Sequence, residues 1–288
     1  MLLIGGQRGL LKIVANSSTK STVRNFTGAA GTLDIRAVAW SRDATHVYVG
    51  SDDGSLRVFN IDTSECVVLK GHSDSIRCIV TNVRNRSNLI ATASYDHSVR
   101  IWDVDTGECT HVVNHGFPVE SVRLLPGNTM MVTVGNTRMK VWNVPTVENT
   151  DIHPLSTTIA HTKSITALTI TRYSGGGANA TEPVRIVTGG ADGHVKIYDA
   201  VTLRVVHGWK YTSAITALKI SPDKKTIVVG CSDGVVYIKS RDDTEATSVT
   251  AKKAKPRPVS GTQAHTHAPH THTPLAQNFG VDVSKGGT

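Results

Sequence analysis

The sequence predicts an all-β fold assembled from repeats, and three observations predict it. First, one pattern recurs: a short apolar strand, a Gly/Ser/Asp turn, then a strand of alternating character. The copies read LLIGGQRGLLKIVA, VYVGSDDGSLRVFNI, IATASYDHSVRIWDV, MVTVGNTRMKVWNV, IVTGGADGHVKIYDA and IVVGCSDGVVYIKS. Second, the residues at the turn position (Arg8, Asp53, Asp96, Asn136, Asp192 and Asp233) are spaced by 45, 43, 40, 56 and 41 residues. Third, each copy after the first follows another β-type segment: IRAVAWS, IRCIVTN, VESVRLL, ITALTIT or ITALKIS. Further short β-type runs, such as ECVVLKG, ECTHVVN and LRVVHGW, lie between copies. Four short strands per roughly 40–45 residues is the period of a β-propeller blade. Apolar spacing of three and four sustained over ten or more residues, which helical repeats need, is not visible.

Taken in order, the first copy is the least regular. Gly5, Gly6 and Gly9 match the turn that VGSDDG makes in the second copy, with Arg8 in the Asp place and Val14 in the place of the closing aromatic. A secretory signal is disfavoured, because the apolar head is only three or four residues long and no basic region precedes it. A phosphate loop would need a helix after the glycines, and LLKIV reads as a strand. The stretch is expected to form the second and third strands of a blade whose innermost strand is missing, so the true start of the protein should lie upstream. The one long interval contains YSGGGANATE (173–182), a glycine-rich insertion that belongs in a loop. The expected organisation is about five complete blades plus an incomplete N-terminal one over residues 1–250, followed by a basic tail, 251–288.

Composition bounds what this fold can be used for. Of 288 residues, 39% are hydrophobic and 19% charged, ordinary for a globular chain with a buried core. No apolar run approaches the roughly 18 residues of a membrane-spanning helix, so membrane function is not expected. Cys66, Cys78, Cys109 and Cys231 lie far apart with no CxxC pair, which reads as a reduced, intracellular chain without zinc ribbons. The net charge is +8, and the tail alone carries Lys252, Lys253, Lys255, Arg257 and Lys285 against Asp282. Charge density is therefore highest in the tail, which suggests an anionic neighbour such as nucleic acid, an import signal, or a solvated linker.

The best copy, GHSDSIRC…ATASYDHSVRIWDVDTGEC (71–109), carries a Gly-His, an S-x-D-x-S turn and a Trp-Asp ending. It resembles the WD-repeat family. That resemblance implies a hydrogen-bonded chain within the blade, here His72, Thr92, Asp96 and Trp102. The chemistry is sensible: a turn Asp accepts from the imidazole, which reaches a hydroxyl that meets the indole N–H, and such buried partners rigidify a blade once all are satisfied. A second set is His161, Thr188, Asp192 and Tyr198. Other blades depart: Phe59 and Lys239 stand in the Trp place, Asn136 in the Asp place, and Val49 and Val229 in the hydroxyl place. Those blades are expected to rely mainly on apolar packing. His, Thr and Asp together also resemble a catalytic triad, but active sites rarely recur in near-copies at every repeat, whereas blade-stabilising networks do. No nucleophile elbow, HExxH or P-loop occurs, and Asp52–Asp53 reads as a solvated turn. No enzyme, cofactor or small-molecule substrate is expected.

Two stretches are finer than the repeat: VNHGFPVESVRLLPGNTMMVTVGNTRMKVWNV (113–144) and LRVVHGWKYTSAITALKISPDKKTIVVGCSDGVVYIKSR (203–241). With SYDHSVRIWD and the basic run after the last blade, they resemble the U3 small nucleolar RNA-associated protein 15 family over about residues 1–258. The resemblance implies a nucleolar, non-catalytic scaffold of the small-subunit processome, linked to small-subunit pre-rRNA maturation and to ribosomal DNA transcription. Its implied partners are other WD40 subunits, pre-rRNA and the U3 ribonucleoprotein. It also implies a seven-bladed propeller, of which about one and a half repeats are absent at the N-terminal end, and a helical C-terminal domain, which the tail does not match. A generic WD40 adaptor, such as a ubiquitin-ligase substrate receptor or a chromatin reader, is the competing reading.

The tail, KKAKPRPVSGTQAHTHAPHTHTPLAQ, has little to bury and reads as disordered. His265, His267, His270 and His272 could chelate a divalent metal, or reflect compositional drift, with no acid nearby to orient the rings. Lys252, Lys253, Lys255 and Arg257 are candidates for nuclear import or for RNA-backbone contacts, with a plain linker as the alternative. Base stacking is not expected from this arm, because Phe279 is its first aromatic.

Overall fold

The computed structural model describes residues 2–14, 23–25, 33–86, 88–146, 152–172 and 183–240. They form six antiparallel sheets, each a simple meander in chain order. The first comprises β1 (Leu2–Gly5), β2 (Leu11–Val14) and β3 (Val23–Asn25). The second comprises β4 (Ile35–Trp40), β5 (His46–Ser51), β6 (Leu56–Asn60) and β7 (Cys66–Leu69). The third comprises β8 (Ile76–Val80), β9 (Leu89–Ser94), β10 (Ser98–Asp103) and β11 (Glu108–Asn114). The fourth comprises β12 (Ser121–Leu124), β13 (Met130–Gly135), β14 (Arg138–Asn143) and β15 (Pro154–Ile159). The fifth comprises β16 (Ile165–Arg172), β17 (Val184–Gly190), β18 (His194–Asp199) and β19 (Val205–Lys210). The sixth has β20 (Ile215–Ile220), β21 (Thr226–Cys231) and β22 (Val236–Ser240) among the described residues. This is the expected WD40 β-propeller arrangement.

Turn chemistry closes each blade. Gly54 follows Asp53 with φ +74, which glycine adopts without strain, and a Cβ there would lie 2.5 Å from the His72 carbonyl oxygen, so the close approach requires glycine. The same place in the third sheet is His97, which accepts φ 73.

The sheets pack through apolar clusters that each join two consecutive blades. Leu11 and Ile13 meet Ile35, Val47 and Phe59; Tyr48 and Leu56 meet Ile76, Ile90 and Trp102. Val99 and Ile101 meet Val122, Met131 and Trp142; Val132 and Met139 meet Ile165, Ile186 and Tyr198. Val187 and Val195 meet Ile215, Val229 and Cys231. At four interfaces the large aromatic of the later blade fills the joint. At the fifth, that place belongs to Lys239.

Close approach at these joints also registers the first copy on the repeat. A Cβ on Gly50 would stand 2.5 Å from Ile76 Cγ2, one on Gly189 2.6 Å from Ile215 Cγ2, and one on Gly5 2.6 Å from Ile35 Cγ2. Gly5 thus occupies the place that Gly50 and Gly189 hold near the ends of β5 and β17. β1 and β2 therefore stand in second- and third-strand positions.

Four of the five described innermost strands, β4, β8, β16 and β20, share one irregularity. Register shifts between Ile35 and Ala37, Ile76 and Cys78, Ile165 and Ala167, and Ile215 and Ala217 leave Arg36, Arg77, Thr166 and Thr216 as the extra residues of β-bulges. A bulge re-aims its side chain. It places these four, with Glu120 at the same repeat position, at the end of the blades that carries the second-to-third-strand turns.

Candidate functional site

Within the third blade the structure brings the four expected residues together. His72 Nδ1 is 2.7 Å from Asp96 Oδ2 and Nε2 is 2.7 Å from Thr92 Oγ1, while Trp102 Nε1 donates to the same hydroxyl at 2.8 Å. Asp96 is also held from its own turn, accepting from the Ser98 amide at 3.0 Å and the Ser98 hydroxyl at 2.7 Å, and from beside the histidine, accepting from the Ser73 amide at 3.2 Å. In the fifth blade His161 Nδ1 lies 3.0 Å from Asp192 Oδ1 and Nε2 lies 2.8 Å from Thr188 Oγ1. Tyr198 donates to the Ala160 carbonyl at 3.0 Å. Its branch thus runs to backbone.

Two blades expected to rest mainly on apolar packing keep polar chains of their own. In the fourth blade His115 Nδ1 is 2.9 Å from Thr133 Oγ1, to which Trp142 Nε1 donates at 2.7 Å. Three of the four positions are therefore linked, and only the Asp place, Asn136, is unmatched. Among the described residues His115 Nε2 is buried without a hydrogen-bond partner. In the second blade the buried Arg57 replaces the imidazole, donating to Ser51 Oγ at 2.7 Å and to Asp53 Oδ2 at 3.2 Å. The physical reason for both corrections is geometric: a chain of this kind tolerates loss of one end, and a long guanidinium can reach the turn carboxylate from the neighbouring strand. Sequence signals were present in the His-Gly at 115–116 and the basic residue two before the aromatic place.

Titration follows from burial and partners. Burial alone would raise the Asp96 carboxyl, but bonds from His72 and Ser98 outweigh it and hold it well below the ordinary carboxylate range. Burial likewise opposes ionisation of Asp192, and the His194 amide and His161 ring more than offset it. His115 is pushed down to about 4 by burial and then by the charge of Lys140. All three folded-state values lie below their unfolded ones, so each contribution is present at high pH and lost as pH falls. The urea midpoint is accordingly expected to be flat near neutrality. It should decline between about 6.5 and about 4 as His115 takes up a proton in the unfolded chain. A second decline follows below about 3.9, as Asp96 and Asp192 are protonated. His115→Gln should make the first stage shallower, which midpoints measured across pH will reveal.

The bulged Arg36 and Arg77 form a polar series that ties consecutive blades. Arg36 Nε donates to Asp52 Oδ1 at 2.8 Å, and the Ser75 hydroxyl of the next blade donates to the same oxygen at 2.8 Å. Arg77 Nε is 3.4 Å from Glu120 Oε2 and its guanidinium lies 4.8 Å from the Tyr95 ring centroid. Tyr95 donates to Glu120, and burial followed by that carboxylate pushes its hydroxyl up to about 12. The sequence reading missed this series. Its trace is the second residue of IRAVAWS, IRCIVTN and VESVRLL, polar inside an apolar strand.

At the opposite end of the blades, that of the first-to-second-strand turns, two cavities open. One, of about 520 Å³, lies between the fifth and sixth blades, where Lys239 stands in the aromatic place with its Nζ 4.5 Å from the Trp209 ring centroid. The other, of about 490 Å³, is bounded by Arg123, Asn128, Thr169, Arg172 and Lys219. Lys252, Lys253, Lys255, Arg257, His265, His267, His270 and His272 lie outside the described residues. All four cysteines are unpaired.

Repeated four-stranded meanders, inter-blade aromatics and His–hydroxyl–Trp chains define a WD-repeat β-propeller. The profile described as "Nucleolar protein 10-like, N-terminal domain" matches residues 2–150, and WD-domain G-beta repeats match residues 152–199 and 201–238. The chain belongs to the nucleolar protein 10-like β-propeller family. It is similar to the U3 small nucleolar RNA-associated protein 15 homolog of Gallus gallus, at 32% identity over 89% of this chain and 46% of the relative. It is also similar to U3 small nucleolar RNA-associated protein 15 of Schizosaccharomyces pombe, at 31% over 86% of this chain and 47% of the relative. The Homo sapiens homolog is 34% identical over 64% of this chain and 33% of its own. The chain thus spans about half the length or less of the curated relatives it matches.

Proposed function

We propose that the chain is a non-catalytic scaffold of ribosome biogenesis, acting in the nucleolus on small-subunit pre-rRNA together with the U3 ribonucleoprotein. The observation that carries this reading is 32% identity over 89% of the chain to a relative named for association with U3 small nucleolar RNA. The chemistry of the blades supports the non-catalytic part. Thr92 is fully buried, and its hydroxyl is engaged by both His72 and Trp102, so the triad-like set has no nucleophile facing a substrate. Its partners on this reading are other WD40 subunits and pre-rRNA, with the basic arm at 252–257 as a further backbone contact or import signal.

Depletion of the protein is expected to accumulate small-subunit rRNA precursors, and its affinity purification to recover U3 RNA with other WD40 subunits. Recovery of cullin-ligase components or histones without rRNA, and unchanged precursor levels on depletion, would overturn the reading.

A further inference from the structure

At the joint between the fifth and sixth blades the aromatic place belongs to Lys239, and a cavity opens there. Phe59, Trp102, Trp142 and Tyr198 fill the aromatic place of their blades, each fully or almost fully buried. Lys239 in that place is half-buried with its Nζ over the Trp209 ring, and it leaves the walls, among them Val187, Ile197, Ile227 and Trp209, with space between them. The second cavity shares Thr171 with the first, so the two adjoin. Seven lysines and arginines line the pair, and neither lining contains an Asp or Glu. Arg185 is paired with Asp199, and Arg123 donates to Cys78 Sγ and the Val122 carbonyl. Arg172, Lys219 and Lys225 are exposed.

We propose that the two cavities form one groove that binds single-stranded RNA, its phosphates along Arg172, Lys219 and Lys225 and one base entering the cavity beside Trp209. The choice of polyanion rests on the RNA-associated reading above; the place and mode of binding rest on the groove. An all-cationic strip suits a phosphate backbone, and an apolar slot with an aromatic wall suits a splayed base. A duplex keeps its bases stacked and paired and cannot fill the slot. An acidic peptide matches the charges but supplies no planar ring beside each anion.

Binding of the full chain to a labelled oligouridylate of about twelve nucleotides, followed by fluorescence anisotropy over a range of salt, tests this. Lys219→Glu combined with Lys225→Glu is expected to weaken binding at least about ten-fold and to flatten the log–log salt slope by about 1.4, that of two lost single-strand phosphate contacts. Lys239→Trp fills the slot, whereas Lys239→Ala removes the same charge and leaves the slot open. The Trp variant should bind the RNA more weakly than the Ala variant and unfold at a higher temperature than the parent chain.

Unchanged affinity in the double variant, with loss of binding in Lys252→Glu, Lys253→Glu, would assign the RNA to the tail and overturn the groove. Displacement of the RNA by an oligoglutamate of equal charge at equal concentration would overturn it in favour of an acidic peptide. If U3 RNA fails to co-purify yet the groove variants lose the oligouridylate, the cellular reading falls and the groove stands. If U3 RNA co-purifies and the groove variants bind as the parent does, the groove falls and the reading stands.

Discussion

Trp102→Ala is expected to lower the unfolding free energy by about 3–5 kcal/mol, the range for deleting a large aromatic from a packed core. Trp102 is 1% exposed and sits in the joint between the second and third blades, against Tyr48, Leu56 and Ile76. Its removal opens a cavity between two sheets that cannot simply collapse, because each is braced on its other side by a further blade. It also strips Thr92 Oγ1 of one of its donors. A fall of about 10 °C in melting temperature and a matching loss in urea midpoint are the readouts. Trp102→Phe separates the two contributions. It keeps most of the volume but not the N–H, and should cost about 1 kcal/mol beyond the change in volume. A loss below about 1 kcal/mol in Trp102→Ala would show that the joint does not depend on the indole.

Asp96→Ala is expected to cost a similar amount, about 3–5 kcal/mol, for a polar reason. The carboxylate accepts from His72, the Ser73 amide, the Ser98 amide and the Ser98 hydroxyl, and all four lose their acceptor at once. Leaving one member of a buried pair without its partner is costlier than never having buried the pair. Asp96→Asn retains one acceptor oxygen and should recover part of the loss. Because the aspartate is the acid-sensitive member, the alanine variant should also lose part of the parent's decline in urea midpoint below about pH 3.9. A variant as stable as the parent, with the parent's acid profile, would mean that the turn and the imidazole are held by other contacts.

The repeat made much of the blade architecture legible. Strand–turn–strand copies with Asp or Asn at a fixed place report themselves by period, because every blade solves the same closure problem with the same turn. The WD-type ending made the His72 chain legible for the same reason. The His115 chain was harder, because a missing Asp breaks the consensus although the hydroxyl and indole still find the ring. Arg57 was harder still: its role depends on where a long side chain ends, and a one-dimensional pattern does not record that.

What the sequence determined by itself, then, is the all-β repeat, the order of its strands and the residues that close each turn. Those features follow from local periodicity and turn stereochemistry. Only the tertiary structure decided that the bulged Arg36 and Arg77 would meet Asp52 and Glu120 in an inter-blade series. It likewise decided that Lys239 in an aromatic place would open a basic slot beside Trp209. Both depend on residues from different blades meeting in space, and on volume left unfilled between sheets, which no single blade's sequence encodes.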